Sequence, residues 1–155
     1  MKGHGFRGRT GLMAAMVLST LPAAMVACDD SGGDETPGFE LVGEWTGPFG
    51  SETISATSWK AFDTGGVLSF EQKVTSFDNA ANSAIVQNLP TAEFGPDTYG
   101  RIVWTEPAAT GFAYCTVAFG HTTPAEAQAA PEQGVDRNDL AAGCAGFGWT
   151  SLTKK

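Results

Sequence analysis

From Phe39 onward, β-branched and aromatic residues alternate with polar ones in short runs bounded by Gly, Asn, Asp and Pro. That period-two pattern is the signature of antiparallel strands that bury one face. In the first run Leu41, Gly43 and Trp45 share a face, with Glu40, Glu44 and Thr46 opposite. Thr53 to Trp59 reads as a second, β-branched strand. The turn Asp63-Thr64-Gly65-Gly66 leads into Val67 to Phe77, where Leu68, Phe70 and Val74 lie on one side. Asp78 to Asn82 reads as a hairpin loop before Ala84 to Asn88. Tyr99 to Thr105 and Phe112 to Phe119 form a further hairpin through Pro107 and Gly111, and Phe147 to Leu152 is expected to be the closing strand. Every connection is short except Leu89 to Thr98, which favours a meander of sequential neighbours.

One helix interrupts the strands. Thr123-Pro124-Ala125-Glu126 offers an N-cap, a Pro at the first helical position and a Glu two residues later, the pattern of a capping box. The helix must stop near Pro131. Two turns do not stand alone in water, so it is expected to pack on the sheet. Seven or eight strands with one short helix predict an all-β domain, a small antiparallel β-barrel or barrel-like sandwich, because closure hides sheet edges.

The first thirty residues follow a different rule. Lys2, Arg7 and Arg9 carry positive charge without any acid, and Gly11 to Ala27 then runs without a charge. A basic start followed by an apolar stretch is an export signal; Ser19, Thr20 and Pro22 interrupt it, and it falls short of the roughly 20 apolar residues of a membrane span. Met25-Val26-Ala27-Cys28 resembles the lipobox of bacterial lipoproteins, although Met25 stands where Leu is usual. The resemblance implies that Cys28 becomes a lipidated N-terminus, and a doubly or triply acylated Cys anchors stably without a spanning helix. Asp29 to Gly38, DDSGGDETPG, is acidic and rich in Gly, Ser and Pro, a flexible tether that cannot bury apolar surface. The expected organisation is a signal over residues 1–27, the lipidated Cys and tether over 28–38, and a single β domain over 39–155.

Charge and cysteines sharpen that picture. The chain has 9 basic and 17 acidic residues, so its formal net charge is −8, and loss of Lys2, Arg7 and Arg9 makes it still more acidic. Such a balance excludes a general nucleic-acid binder, which needs a basic surface. It would also repel anionic lipid, leaving the acyl chains to hold the protein at a membrane. Three cysteines are an odd number for an exported protein. With Cys28 lipidated, Cys115 and Cys144 are left to pair in an oxidising compartment. The alternative is that Cys115 is a reactive thiol served by His121, the one His downstream of the signal.

Candidate chemistry is sparse. Trp45, Trp59, Trp104 and Tyr114 could line an aromatic cleft for a small apolar ligand, or could simply fill the core, since each buries a large area. His121 has no His or Cys neighbour at metal-ligand spacing. Asp136-Arg137-Asn138-Asp139 is oxygen-rich but lacks the Gly and terminal Glu of a calcium loop, and reads better as an Asx-rich turn. Glu40, Glu44 and Glu52 lie close in sequence, as a hydrolytic carboxylate pair would require in space. Nucleophile elbows, phosphate-binding loops and zinc motifs do not occur, so no cofactor and no metal is expected.

Two resemblances add to this reading. Gly43-Glu44-Trp45 resembles the Gly-x-Trp of lipocalins, eight-stranded barrels that hold small apolar ligands. The order Arg101-Ile-Val-Trp-Thr105, Phe112-Ala-Tyr-Cys115, a short Ala-rich helix, Asp136 to Asp139, and Gly143-Cys-Ala-Gly-Phe-Gly-Trp-Thr150 resembles a group of lipoproteins from myxobacteria and related bacteria. In that group a Gly-Cys-Gly-Gly-Phe-Pro-Trp-like segment ends the domain; Ala145 and Gly148 depart from it. The resemblance implies the Cys115–Cys144 pairing and brings no activity with it. The function expected is therefore a membrane-anchored envelope lipoprotein that is non-catalytic and binds a small apolar ligand or another envelope component. The alternatives are a structural or interaction module whose barrel is filled by its own side chains, and a carboxylate-based hydrolase of envelope polymers.

Overall fold

Strand β1 (Gly43–Gly47) leaves the tight Pro48-Phe49 hairpin as β2 (Gly50–Ile54), and the chain then continues around a barrel without a single crossover. The remaining strands are β3 (Ser58–Phe62), β4 (Leu68–Asp78), β5 (Ser83–Asn88), β6 (Tyr99–Trp104), β7 (Gly111–His121) and β8 (Thr150–Lys154). All pairs are antiparallel, and β8 returns to β1 to close the barrel. This computed structural model describes residues 38–155; the signal, the tether through residue 37 and Cys28 lie outside them. The expected all-β barrel with one short helix is the fold observed.

Two strand boundaries differ from the sequence reading. Thr53–Trp59 is not one strand: β2 ends at Ile54 and β3 begins at Ser58. The Ser55 hydroxyl accepts from the backbone N–H of Ser58 (2.9 Å) and Thr57 (3.3 Å), closing a turn inside a run of Ser and Thr with no Gly or Pro to mark it. The last strand starts at Thr150 rather than Phe147, because Cys144 and Phe147 exchange two backbone hydrogen bonds of 2.9 Å in a tight turn. His121 ends β7 opposite Tyr99, two residues beyond Phe119, where the sequence pattern ends that strand.

Alternation sorts the side chains into two layers. Inside the barrel, Phe39, Leu41, Trp45, Trp59, Trp104 and Phe112 lead one continuous apolar cluster. The strand ends divide the barrel into two mouths. At one, the segment around Phe39 and Leu41 forms a plug: Phe39 stacks on Phe77 (4.8 Å between rings) and meets Trp104 edge-on (5.7 Å). Asn79, in the β4–β5 turn, holds this plug by donating to the Gly38 carbonyl (2.8 Å) and accepting from the Glu40 N–H (3.3 Å).

A second layer covers the outside of β6 and β7. Helix α1 (Pro124–Ala129) begins with the expected capping box, Thr123 accepting from the Glu126 N–H at 3.2 Å and the Glu126 carboxylate accepting from the Thr123 N–H at 3.3 Å. Arg101 on β6 donates to the Gln128 carbonyl (2.9 Å) at the helix C-terminal end, where a cation also suits the dipole. The chain from Pro131 to Trp149 then crosses the outside as a strap. Val103, Ala113, Cys115 and Trp149 are its buried contacts, and the Cys115–Cys144 disulfide, with Cα atoms 5.7 Å apart, fastens it to β7.

Candidate functional site

At the mouth opposite the plug the interior is not filled. A chamber of about 860 Å³ opens there, between the first residues of β4, the Leu89–Thr98 connection, the far half of β7 and the start of β8. The strand alternation explains its lining. Inward positions Phe70 and Gln72 on β4, Asn88 on β5, Ile102 on β6, Tyr114 and Thr116 on β7 and Thr150 on β8 stand around it in register. Trp59 and Tyr114, in edge contact with ring centroids 4.9 Å apart, make its floor.

The long connection that the meander pattern set apart shapes this mouth. Asn88 donates its amide to the carbonyls of Phe94 (3.2 Å) and Gly95 (3.0 Å), and Thr98 donates its hydroxyl to Gly95 (2.6 Å). Gly95 and Asp97 take left-handed backbone conformations, with φ of 54° and 62°, so the chain can fold back within these few residues. The loop thereby presents Phe94, 80% exposed, at the rim, where Phe119 (73%) and Phe70 (42%) join it.

Behind the floor lies the one buried acidic side chain among the described residues. Glu52 is buried, receives the Trp59 indole N–H on Oε2 and the Tyr114 hydroxyl on Oε1 (2.9 Å). Burial pushes its carboxyl above the ordinary range, while the two hydrogen bonds pull it the other way. Burial, together with the negative charge of Glu52, holds the Tyr114 hydroxyl far above its ordinary value. Both carboxylate oxygens are engaged, so the arrangement ties β2, β3 and β7 together; it is a clasp.

The four aromatic candidates are divided by the structure. Trp59 and Tyr114 line the chamber. Trp104 lies at the plugged end, its indole N–H on Glu40 (2.7 Å), and Trp45 donates to the Leu41 carbonyl (2.9 Å) and packs edge-on against Phe112 at 4.8 Å. The three carboxylates are likewise separated in role: Glu40 serves Trp104, exposed Glu44 faces Lys155 at 3.8 Å, and Glu52 serves the clasp. Glu44 and Glu52 do border a small recess of about 220 Å³ beside the β1–β2 hairpin, shared with Lys155. Asp136 and Asp139 accept from backbone N–H groups two or three residues on, at 2.9–3.1 Å, which is the Asx-turn reading. Among the described residues no group of three His, Cys, Asp or Glu is placed to hold a metal ion.

The clasp and the aromatic rim escaped the sequence reading. A signal existed for the first: Glu52 and Ile54 share a strand face, so a carboxylate sits where the alternation calls for an apolar side chain. For the rim there was none, since Phe94 and Phe119 are 25 positions apart and only barrel closure brings their elements to one mouth. No protein-family model matches the chain, and no curated protein or solved structure matches it either.

Proposed function

We propose that this protein is a non-catalytic interaction module of a bacterial cell envelope, in which the barrel is a rigid support and the open mouth is the working face. One observation carries the reading. The interior from the plug to the Trp59–Tyr114 floor is filled by the chain's own aromatic side chains, whereas large aromatics at the opposite mouth are left in water. Apolar residues gathered at one end of a small monomer mark a contact surface. Anchoring through lipidated Cys28, and kinship with the myxobacterial-type lipoproteins, are parts of the same proposal, supported by the lipobox and by the order of motifs in the C-terminal third. Gly38 enters at the plugged end, so a tether attached there leaves the working face at the far end of the barrel.

Site-specific photocrosslinking in the native host tests this reading. A crosslinker at Phe94 or Phe119 is expected to trap one discrete envelope component, while the same group at exposed Lys73 on β4 traps none. Identical patterns from rim and Lys73 would overturn the assignment of the mouth as the working face.

A further inference from the structure

The 860 Å³ chamber falls within the size range of sites that enclose a whole drug-sized molecule. Its chemistry is one-sided. Trp59, Ile102, Phe70 and Phe94 supply apolar and aromatic walls, and Gln72, Thr116 and Thr150 supply uncharged hydrogen-bonding groups. Gln72 spends its amide N–H on Asn88 (2.8 Å), a bond that does not use its carbonyl oxygen. No Lys, Arg or His lines the chamber. The nearest described cation on β3, Lys60, pairs with Glu71 at 3.2 Å, and Arg101 is committed to the helix end and to Glu132 on the outside of the barrel. Glu71, paired with Lys60, and Glu93 line the mouth, and Glu52 lies one hydrogen bond behind Tyr114. A negatively charged group entering here would lose its water, find no cation among the described lining residues, and approach three carboxylates, of which Glu71 alone has an ion-pair partner, Lys60.

We infer that the chamber is a binding site for an uncharged, apolar, ring-containing molecule that carries a hydrogen-bonding group at its buried end, and that it rejects the anionic counterpart. This goes beyond the interaction module: it assigns a ligand to the mouth, and it requires neither the lipid anchor nor a protein partner. Its failure would therefore leave the crosslinking test untouched.

Two probes with one body separate the outcomes. N-phenyl-1-naphthylamine is neutral and has one N–H; its 8-sulfonate analogue, anilinonaphthalene sulfonate, adds a single negative charge. Titration of the full-length, disulfide-bonded protein, followed by probe emission and Trp fluorescence, is expected to show saturable binding of the neutral probe. The sulfonate should bind roughly tenfold or more weakly, the scale of an uncompensated charge in a partly dry site. Thr116→Trp, which fills the floor, should abolish neutral-probe binding while the near-ultraviolet circular dichroism stays native. Gln72→Lys, which places a cation in the chamber, should reverse the preference, and it keeps the idea testable if Thr116→Trp does not fold. Equal or tighter binding of the sulfonate by the unmodified protein would overturn the proposal. So would binding of neither probe, or a Gln72→Lys variant with the original preference.

Discussion

Glu52 concentrates the conflict that a single residue can place in a barrel. Its charge is penalised by burial, yet it accepts the Trp59 and Tyr114 hydrogens that would otherwise be orphaned indoors. Replacing it by Leu removes the acceptor from both donors, at a cost of about 1–3 kcal/mol for each one left unsatisfied. Urea denaturation should show that loss as a lower midpoint. Glu52→Gln keeps one acceptor oxygen and removes the charge, so it should cost much less at neutral pH. The pH dependence follows from the direction of the shift. A carboxyl held above its unfolded value keeps its proton longer in the folded chain, so its contribution is fully present at low pH. It is lost as pH rises from the ordinary carboxylate range through the raised value of Glu52. Relative to Glu52→Gln, the unmodified protein should therefore lose stability across that window, and parallel stability curves would refute the assignment.

The elements outside the barrel are held by local devices that can be removed one at a time. Thr123 caps α1 and Glu126 returns the bond; Thr122, through its hydroxyl and N–H, adds to the interactions that lower the Glu126 carboxyl. Thr123→Ala should cost about 1 kcal/mol, read from the thermal or urea midpoint, with the barrel unchanged. The strap depends on a longer-range device. Closing Cys115 to Cys144 spans 29 positions, which in the chain-entropy view is worth ~3.6 kcal/mol. Reduction, or the Cys115→Ser/Cys144→Ser pair, should lower stability by that order. Amide exchange should rise first over Pro131 to Trp149, where the Arg101–Glu132 pair (3.5 Å) and the Arg137 Nε–H donated to the Trp104 carbonyl (3.2 Å) are left as polar ties to β6. Uniform exchange across all eight strands would instead mean that the bridge supports the barrel itself.

For the whole molecule the governing quantities are charge and polarity of ends. With 17 acidic residues against 9 basic ones, and Lys2, Arg7 and Arg9 within the expected signal, the net charge opposes attraction to an anionic bilayer. Under the proposed anchoring, membrane attachment would rest on the acyl chains of Cys28 alone. Cys28→Ser should move the protein from the membrane fraction to the soluble fraction after cell breakage, and retention of the variant in the membrane would refute lipid anchoring. The barrel itself is asymmetric along its axis, plugged by Phe39, Leu41 and Trp104 at the end where Gly38 enters and open at the Phe94–Phe119 end. That asymmetry is what would give the proposed working face a direction.

The sequence by itself determined the fold class and the helix with its cap, and, on the expectation that Cys28 is lipidated, pointed to the Cys115–Cys144 pairing that the structure shows. Those depend on neighbours: alternation is a period-two property, a capping box spans four residues, and an odd cysteine with a lipobox leaves one pair. The strand expected over Thr53–Trp59 failed for the same reason, since a turn built from Ser55 and Ser58 hydroxyls has the composition of a strand. Only the tertiary structure decided which aromatics line the chamber. Trp45, Trp59, Trp104 and Tyr114 look alike in sequence, and their roles part according to height along the barrel axis, a coordinate set by strand register and by the bulges in β4 and β7. The chamber, its lack of a cation and the carboxylate beneath it belong to that same coordinate. They arise where eight strands close, and no single stretch of the chain contains them.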